Sequence, residues 1–144
     1  MSALALENET TTGVTATRDR LARYMMIALG VATLGAFANA AHEFSALPPD
    51  RLVVNTWQML GFVVFAGLFT LLGFFPRRMT GIWELVLFHK LAVTLFNASF
   101  IGTVTGPVRS DNPLVVTVVD GVLVVVTLMA YVLTRGWRAW SHGR

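Results

Sequence analysis

Hydrophobic positions in this chain fall into four long runs separated by short polar stretches, at approximately residues 24–41, 57–75, 82–101 and 114–134. Each run is close to the ~20 residues that a helix needs to cross ~30 Å of hydrocarbon. The fourth, Leu-Val-Val-Thr-Val-Val-Asp-Gly-Val-Leu-Val-Val-Val-Thr-Leu-Met, has enough Val to pass for buried strand in water. Its length and its three companions predict helix instead, because lipid offers backbone groups no partner and every one must be satisfied internally. The pattern predicts an all-α fold, an integral membrane four-helix bundle over residues 21–137. A flexible polar, Thr-rich arm at 1–20 precedes it and a basic tail at 138–144 follows. No room remains for a second globular domain.

The connections follow from turn chemistry. Pro48-Pro49 stops any helix between runs one and two, and Pro76-Arg77-Arg78-Met79-Thr80-Gly81 makes runs two and three antiparallel neighbours. Gly106-Pro107 and Asp111-Asn112-Pro113 are turn signals in the third connection. Run one carries Ala28, Ala32, Ala36 and Ala40 at i+4 spacing, a small-residue stripe suited to close helix packing within the bundle or between two copies.

Charge then orients the runs. Of ten arginines, eight (Arg18, Arg20, Arg23, Arg77, Arg78, Arg135, Arg138 and Arg144) lie on one side of the predicted topology and two (Arg51 and Arg109) on the other. The excess of basic residues on cytoplasmic loops places both termini in the cytoplasm of a cell-membrane protein. Trp57, Trp83, Trp137 and Trp140 sit at run ends, as interfacial anchors do. The pI near 10.2 therefore belongs to topology and implies the bilayer, not nucleic acid, as partner. Arginines, an apolar run and Ala38-Asn39-Ala40 also resemble a cleavable signal peptide, but the arm ahead of the run is long for one, so run one is expected to be retained. The chain contains no Cys, which excludes thiolate metal sites, disulfides and cysteine nucleophiles.

Polar groups inside the runs are few enough to place by depth. Lys90, the single lysine, lies within run three, where a cation costs roughly 2.5–3.5 kcal/mol on insertion scales and normally faces a partner or a wet cavity. Lys90, Thr94 and Asn97 share one helical face. Glu84 stands six residues from Lys90 and five from His89, so neither pair stacks. The expected counter-ion is Asp120 in run four, at a backbone level that differs by roughly 8–9 Å, with Asn97 or water completing the gap. Lys90, Asp120, Asn97, His89 and Glu84 are thus ligand-binding or proton-labile candidates. The structural alternative is a buried pair that fixes helix register. Glu84 reads first as a first-turn residue favoured by the helix dipole, and His89 as a hydrogen-bonded core or interfacial histidine before a proton carrier. Asn39, His42, Glu43 and Gln58 form a second polar cluster at the outer ends of runs one and two. His42 and His89 differ by about a dozen residues in depth and His142 is in the tail, which disfavours haem, and no metal-ligand spacing occurs.

In layout over residues ~20–135, with Trp83-Glu84-Leu-Val-Leu-Phe-His89-Lys90-Leu91 in run three and Gly61, Gly67 and Gly73 in run two, the chain resembles the DoxX-like group of small membrane proteins. That resemblance implies association with redox or quinone-linked membrane complexes and assigns no catalytic residue. The expected function is a non-catalytic binding or accessory subunit holding a quinone, lipid or other apolar molecule, as a homo-oligomer or within a larger complex. The alternatives are a small proton-coupled transporter and an isomerase-like membrane enzyme that uses Asp120 or His89 as acid or base. A dry pocket beside Lys90 favours binding, whereas a polar path from Glu84 to His42 favours transport.

Overall fold

Proline, glycine and asparagine set the helix ends in the computed structural model, which describes residues 3–103 and 112–143, with side chains over 15–103 and 112–141. Arg109, Asp111, the Gly106-Pro107 turn, Arg144 and the side chain of His142 lie outside the described residues. Four α-helices carry the chain: α1 (Ala3–Glu43), α2 (Leu52–Phe74), α3 (Ile82–Ser99) and α4 (Pro113–Thr134). Short 3-10 turns at Phe44–Ala46 and Pro49–Arg51 join α1 to α2, and a 3-10 segment, Gly136–Gly143, follows α4. The described residues contain no strand.

Local causes are plain at each boundary. Gly81, at φ 80°, occupies the left-handed region ahead of α3. Pro113 fills the first position of α4, and the Asn112 side chain accepts a hydrogen bond from the Leu114 amide. Arg135 closes α4 at φ 52°. The following Gly136 is required by packing, since a Cβ there would overlap the Tyr131 ring and Trp83. α1 runs unbroken from Ala3, so the stretch ahead of run one continues as helix. Extending an existing helix adds one hydrogen bond per residue fixed, without a new nucleation cost.

Three stretches are long and apolar enough to cross a membrane: Thr15–Ala46, Pro49–Phe74 and Pro113–Thr134. α3 is not among them, because Glu84, His89, Lys90 and Asn97 fall within its 18 residues. Large apolar side chains are exposed along all four helices, with Trp57 77%, Phe88 72%, Phe96 69% and Val53 68% exposed. Water-soluble monomers do not expose continuous apolar surface on this scale.

Packing is uneven. α1 lies along α2 and also contacts α4, whereas α3 packs on α4 and only lightly on α2. Gly30 and Gly73 permit the close approach of α1 and α2. A Cβ at Gly30 would sit 3.0 Å from Thr70 Oγ1 and 3.3 Å from the Ala66 carbonyl oxygen, and one at Gly73 3.3 Å from both Ile27 Cγ1 and Met26 Cβ. Gly61 and Gly67 have open space. The buried core (Met26, Phe69, Leu72, Trp83, Val86 and Ala130) gathers at the end where α2 finishes and α3 begins, hereafter the Trp83 end. Trp83 is therefore core, 1% exposed, and not an interfacial anchor, and its indole N–H donates to the Pro76 carbonyl at 2.8 Å.

Polar bonds close the same end. Arg77 donates in bidentate fashion to Asp19 at 2.7 and 3.0 Å and through Nε to the Thr134 carbonyl at 3.0 Å, joining α1, the α2–α3 connection and the end of α4. Overpacking at the α1–α2 seam is the expected weak point. Gly30→Ala should destabilise the detergent-solubilised protein by about 1–3 kcal/mol in thermal unfolding, while Gly67→Ala should be neutral or gain up to about 1 kcal/mol of helix propensity.

Candidate functional site

Lys90 is presented by the middle of α3 toward α4, where Asp120 lies two turns from the start of its helix. Both residues are 8% exposed. Lys90 Nζ donates to Asp120 Oδ1 at 2.8 Å, so the flexible stem spans the offset in backbone level without an intermediary. The ammonium also stands 4.4 Å from the Phe65 ring centroid, a cation–π contact that uses α2 as third partner. Phe65 carries no charge and gave no signal in the sequence. Its role follows from where α2 brings it.

The other candidates separate. Asn97 donates to the Val93 carbonyl of its own helix at 3.0 Å, and Thr94 to the Lys90 carbonyl at 2.8 Å, so Asn97 does not complete the pair. The direct reach of the lysine removes the need for it. His89 is exposed on α3 and packs against Phe65, with ring centroids 4.5 Å apart. Glu84 stays at the Trp83 end, where its Oε1 accepts from Tyr131 Oη at 2.8 Å and Trp140 Nε1 at 3.2 Å. Its Oε2 is buried without a hydrogen-bond partner. Glu84 thus ties α3 to α4 and to the C-terminal segment, beyond any interaction with its own helix dipole.

Above the pair the helices do not close. A cavity of about 890 Å³ lies between α1, α2 and α4, with Lys90 reaching in from α3. Its deep end is formed by the buried residues Thr33, Lys90 and Asp120. Its middle is apolar, walled by Ala32, Ala36, Phe62, Val116, Val119 and Leu123. Its far end carries Asn39, Glu43, Arg51, Asn55 and Gln58, with Leu47 and Pro48 from the connection. Asn39 donates to Glu43 Oε1 at 3.0 Å, and Asn55 to the Arg51 carbonyl at 3.0 Å. His42, expected in this cluster, is exposed and does not line the cavity.

The alanine stripe takes on a specific part here. Ala32, Ala36 and Ala40 line the cavity, so their small side chains leave space instead of admitting a partner helix at that level. Arg51, Asn55 and the Val115, Val116 and Val119 wall were not legible as site residues, because valine and loop arginine have ordinary structural uses.

A chamber of this size, apolar in its middle and polar at both ends, has the volume of a small-molecule site, typically about 300–1,000 Å³. Below it, the packed side chains of Phe69, Met26, Leu72 and Val86, with the buried hydroxyl of Thr127 on α4, lie between the levels of Lys90 and Glu84. No family, curated protein or solved structure matches the chain.

Breaking the pair should be costly and replacing it should not. Lys90→Met or Asp120→Leu alone should lose about 3–5 kcal/mol by leaving one buried charge, and the double substitution should recover most of that loss. Thermal unfolding of the four proteins in one detergent checks this.

Proposed function

We propose that the chain is a multi-pass cell-membrane protein that binds a lipophilic molecule in its cavity and serves as a binding or accessory subunit. The carrying observation is the 890 Å³ apolar cavity whose deep end is the buried Lys90–Asp120 pair. In this reading α3 is the fourth crossing of a four-helix bundle with both termini cytoplasmic. Its polar groups are compatible with lipid because Lys90 is paired, Asn97 is bonded within its helix and Glu84 lies near the helix start. The arginine distribution supports the orientation, so the cavity faces the outer leaflet.

Binding is favoured over proton-coupled transport by the Trp83-end core, which is apolar apart from the buried Thr127 hydroxyl and, among the described residues, places no titratable side chain between Glu84 and Lys90. It is favoured over acid–base chemistry because Asp120 is engaged by Lys90 and His89 does not line the cavity. The likeness in layout to the DoxX-like group makes a quinone one of the molecules to look for, and a larger membrane complex or a second copy the partner.

Mass spectrometry of the mildly solubilised chain tests the proposal directly. A co-purifying lipophilic molecule is expected. Ala36→Trp should lower its occupancy by about tenfold or more by filling the chamber, with the melting temperature unchanged or raised when no ligand is added. Wild-type protein that never retains such a molecule, or an Ala36→Trp variant that retains it fully, would overturn the reading.

A further inference from the structure

The cavity's lining is charged at two separate levels. It carries two cations, Lys90 and Arg51, and two anions, Asp120 and Glu43. One of each sign sits at the deep end and one of each at the far end, with apolar wall between. The lining from Ala32 to Glu43 extends over roughly 16 Å of α1, the length of an extended hydrocarbon tail or a small ring system with a side chain.

At the deep end the recorded bond joins Lys90 Nζ to Asp120 Oδ1 at 2.8 Å. An ammonium has three N–H donors and a carboxylate about four lone-pair sites, so this contact leaves capacity on both partners. Both residues line the cavity, so that capacity is available to a bound molecule. A neutral hydroxyl suits it, accepting from Lys90 while donating to Asp120, without separating the pair. A carboxylate or phosphate head would bring a second anion against Asp120, and an amine a second cation against Lys90. In a buried setting such a like-charge approach is strongly unfavourable.

From this balance, and resting on the proposal that the cavity is a binding site, we infer that its ligand is an uncharged amphiphile whose hydroxyl sits on the Lys90–Asp120 pair. The class comprises lipophilic alcohols and phenols, as opposed to fatty acids, lysophospholipids or alkylamines. The pair then does two things at once: it neutralises its own burial and it reads the headgroup.

The test uses the full chain in a nonionic detergent and three probes of equal chain length: a primary alcohol, a fatty acid and a primary alkylamine. The pH is mildly alkaline, so that the acid is ionised and the amine protonated. Native mass spectrometry with competition among the three gives relative affinities. The alcohol should bind at least about tenfold more tightly than either charged probe. In Asp120→Asn the carboxylate is gone while Lys90 keeps an amide partner, and preference should move to the fatty acid.

Equal binding of all three by the wild type, or preference for the acid or the amine, overturns the headgroup inference and leaves the binding reading standing. Retention of none of them overturns the binding reading itself. A folded Asp120→Asn protein with the wild-type preference order removes the pair as the headgroup contact. The wild-type comparison needs no variant, so the inference stays testable if Asp120→Asn fails to fold.

Discussion

A lysine cannot sit uncompensated among valines and phenylalanines, and the arrangement of α3 answers to that constraint. An unpaired charge buried in an apolar interior costs several kcal/mol, and Lys90 is met by a 2.8 Å bond to Asp120 and by the Phe65 ring. α3 accordingly lies against α4, the helix that holds the carboxylate, and touches α2 only lightly. A buried ion pair seldom adds much net stability, yet it penalises any register that separates its members. Here it fixes the level of α3 against α4 and, with it, the floor of the cavity.

The two ends of the structure are built on opposite principles. At the Trp83 end, large side chains interlock and polar groups are bonded across elements: Arg77 to Asp19 and to the Thr134 carbonyl, and Tyr131 and Trp140 to Glu84. At the Glu43 end, small alanines on α1 and short valines on α4 face one another across open space. The molecule is closed below and hollow above. A rigid lower half can hold the upper helices apart, since Gly30 and Gly73 set the α1–α2 approach while the alanines nearer Glu43 leave the gap. The packed layer between Glu84 and Lys90, apolar apart from Thr127, makes the pair the end of the pocket.

Much of this was legible in the chain. The apolar runs match α3 and α4 closely, whereas α2 begins at Leu52, five residues ahead of its run, and helix ends fall near Pro49, Pro76, Gly81 and Pro113. The Lys90–Asp120 contact was also legible, because run four offers a single acidic residue and Glu84 is out of phase on its own helix. Other features were not. A Trp at a run end is read as an anchor, yet Trp83 is core, since both faces of this helix carry large apolar side chains and hydrophobic pattern cannot separate them. Asn97 shares the face of Lys90 but satisfies itself on the Val93 carbonyl, a choice of rotamer that spacing does not encode. α1 continues back to Ala3 through a stretch whose composition reads as a polar arm.

The sequence by itself determined the all-helical class, the apolar character of the helices (four runs expected to span, of which α1, α2 and α4 are long and apolar enough) and the need of Lys90 for a partner. Each of these follows from local composition, from helical periodicity or from the energy of one charge in an apolar run. Only the tertiary structure decided that four faces would leave a chamber, that Phe65 would cover the ammonium, and that Ala32 and Ala36 would make space instead of contact. The reason is physical. A cavity is a property of the distance between helices, which depends on side chains at several seams together, and no single segment carries that distance in its own pattern.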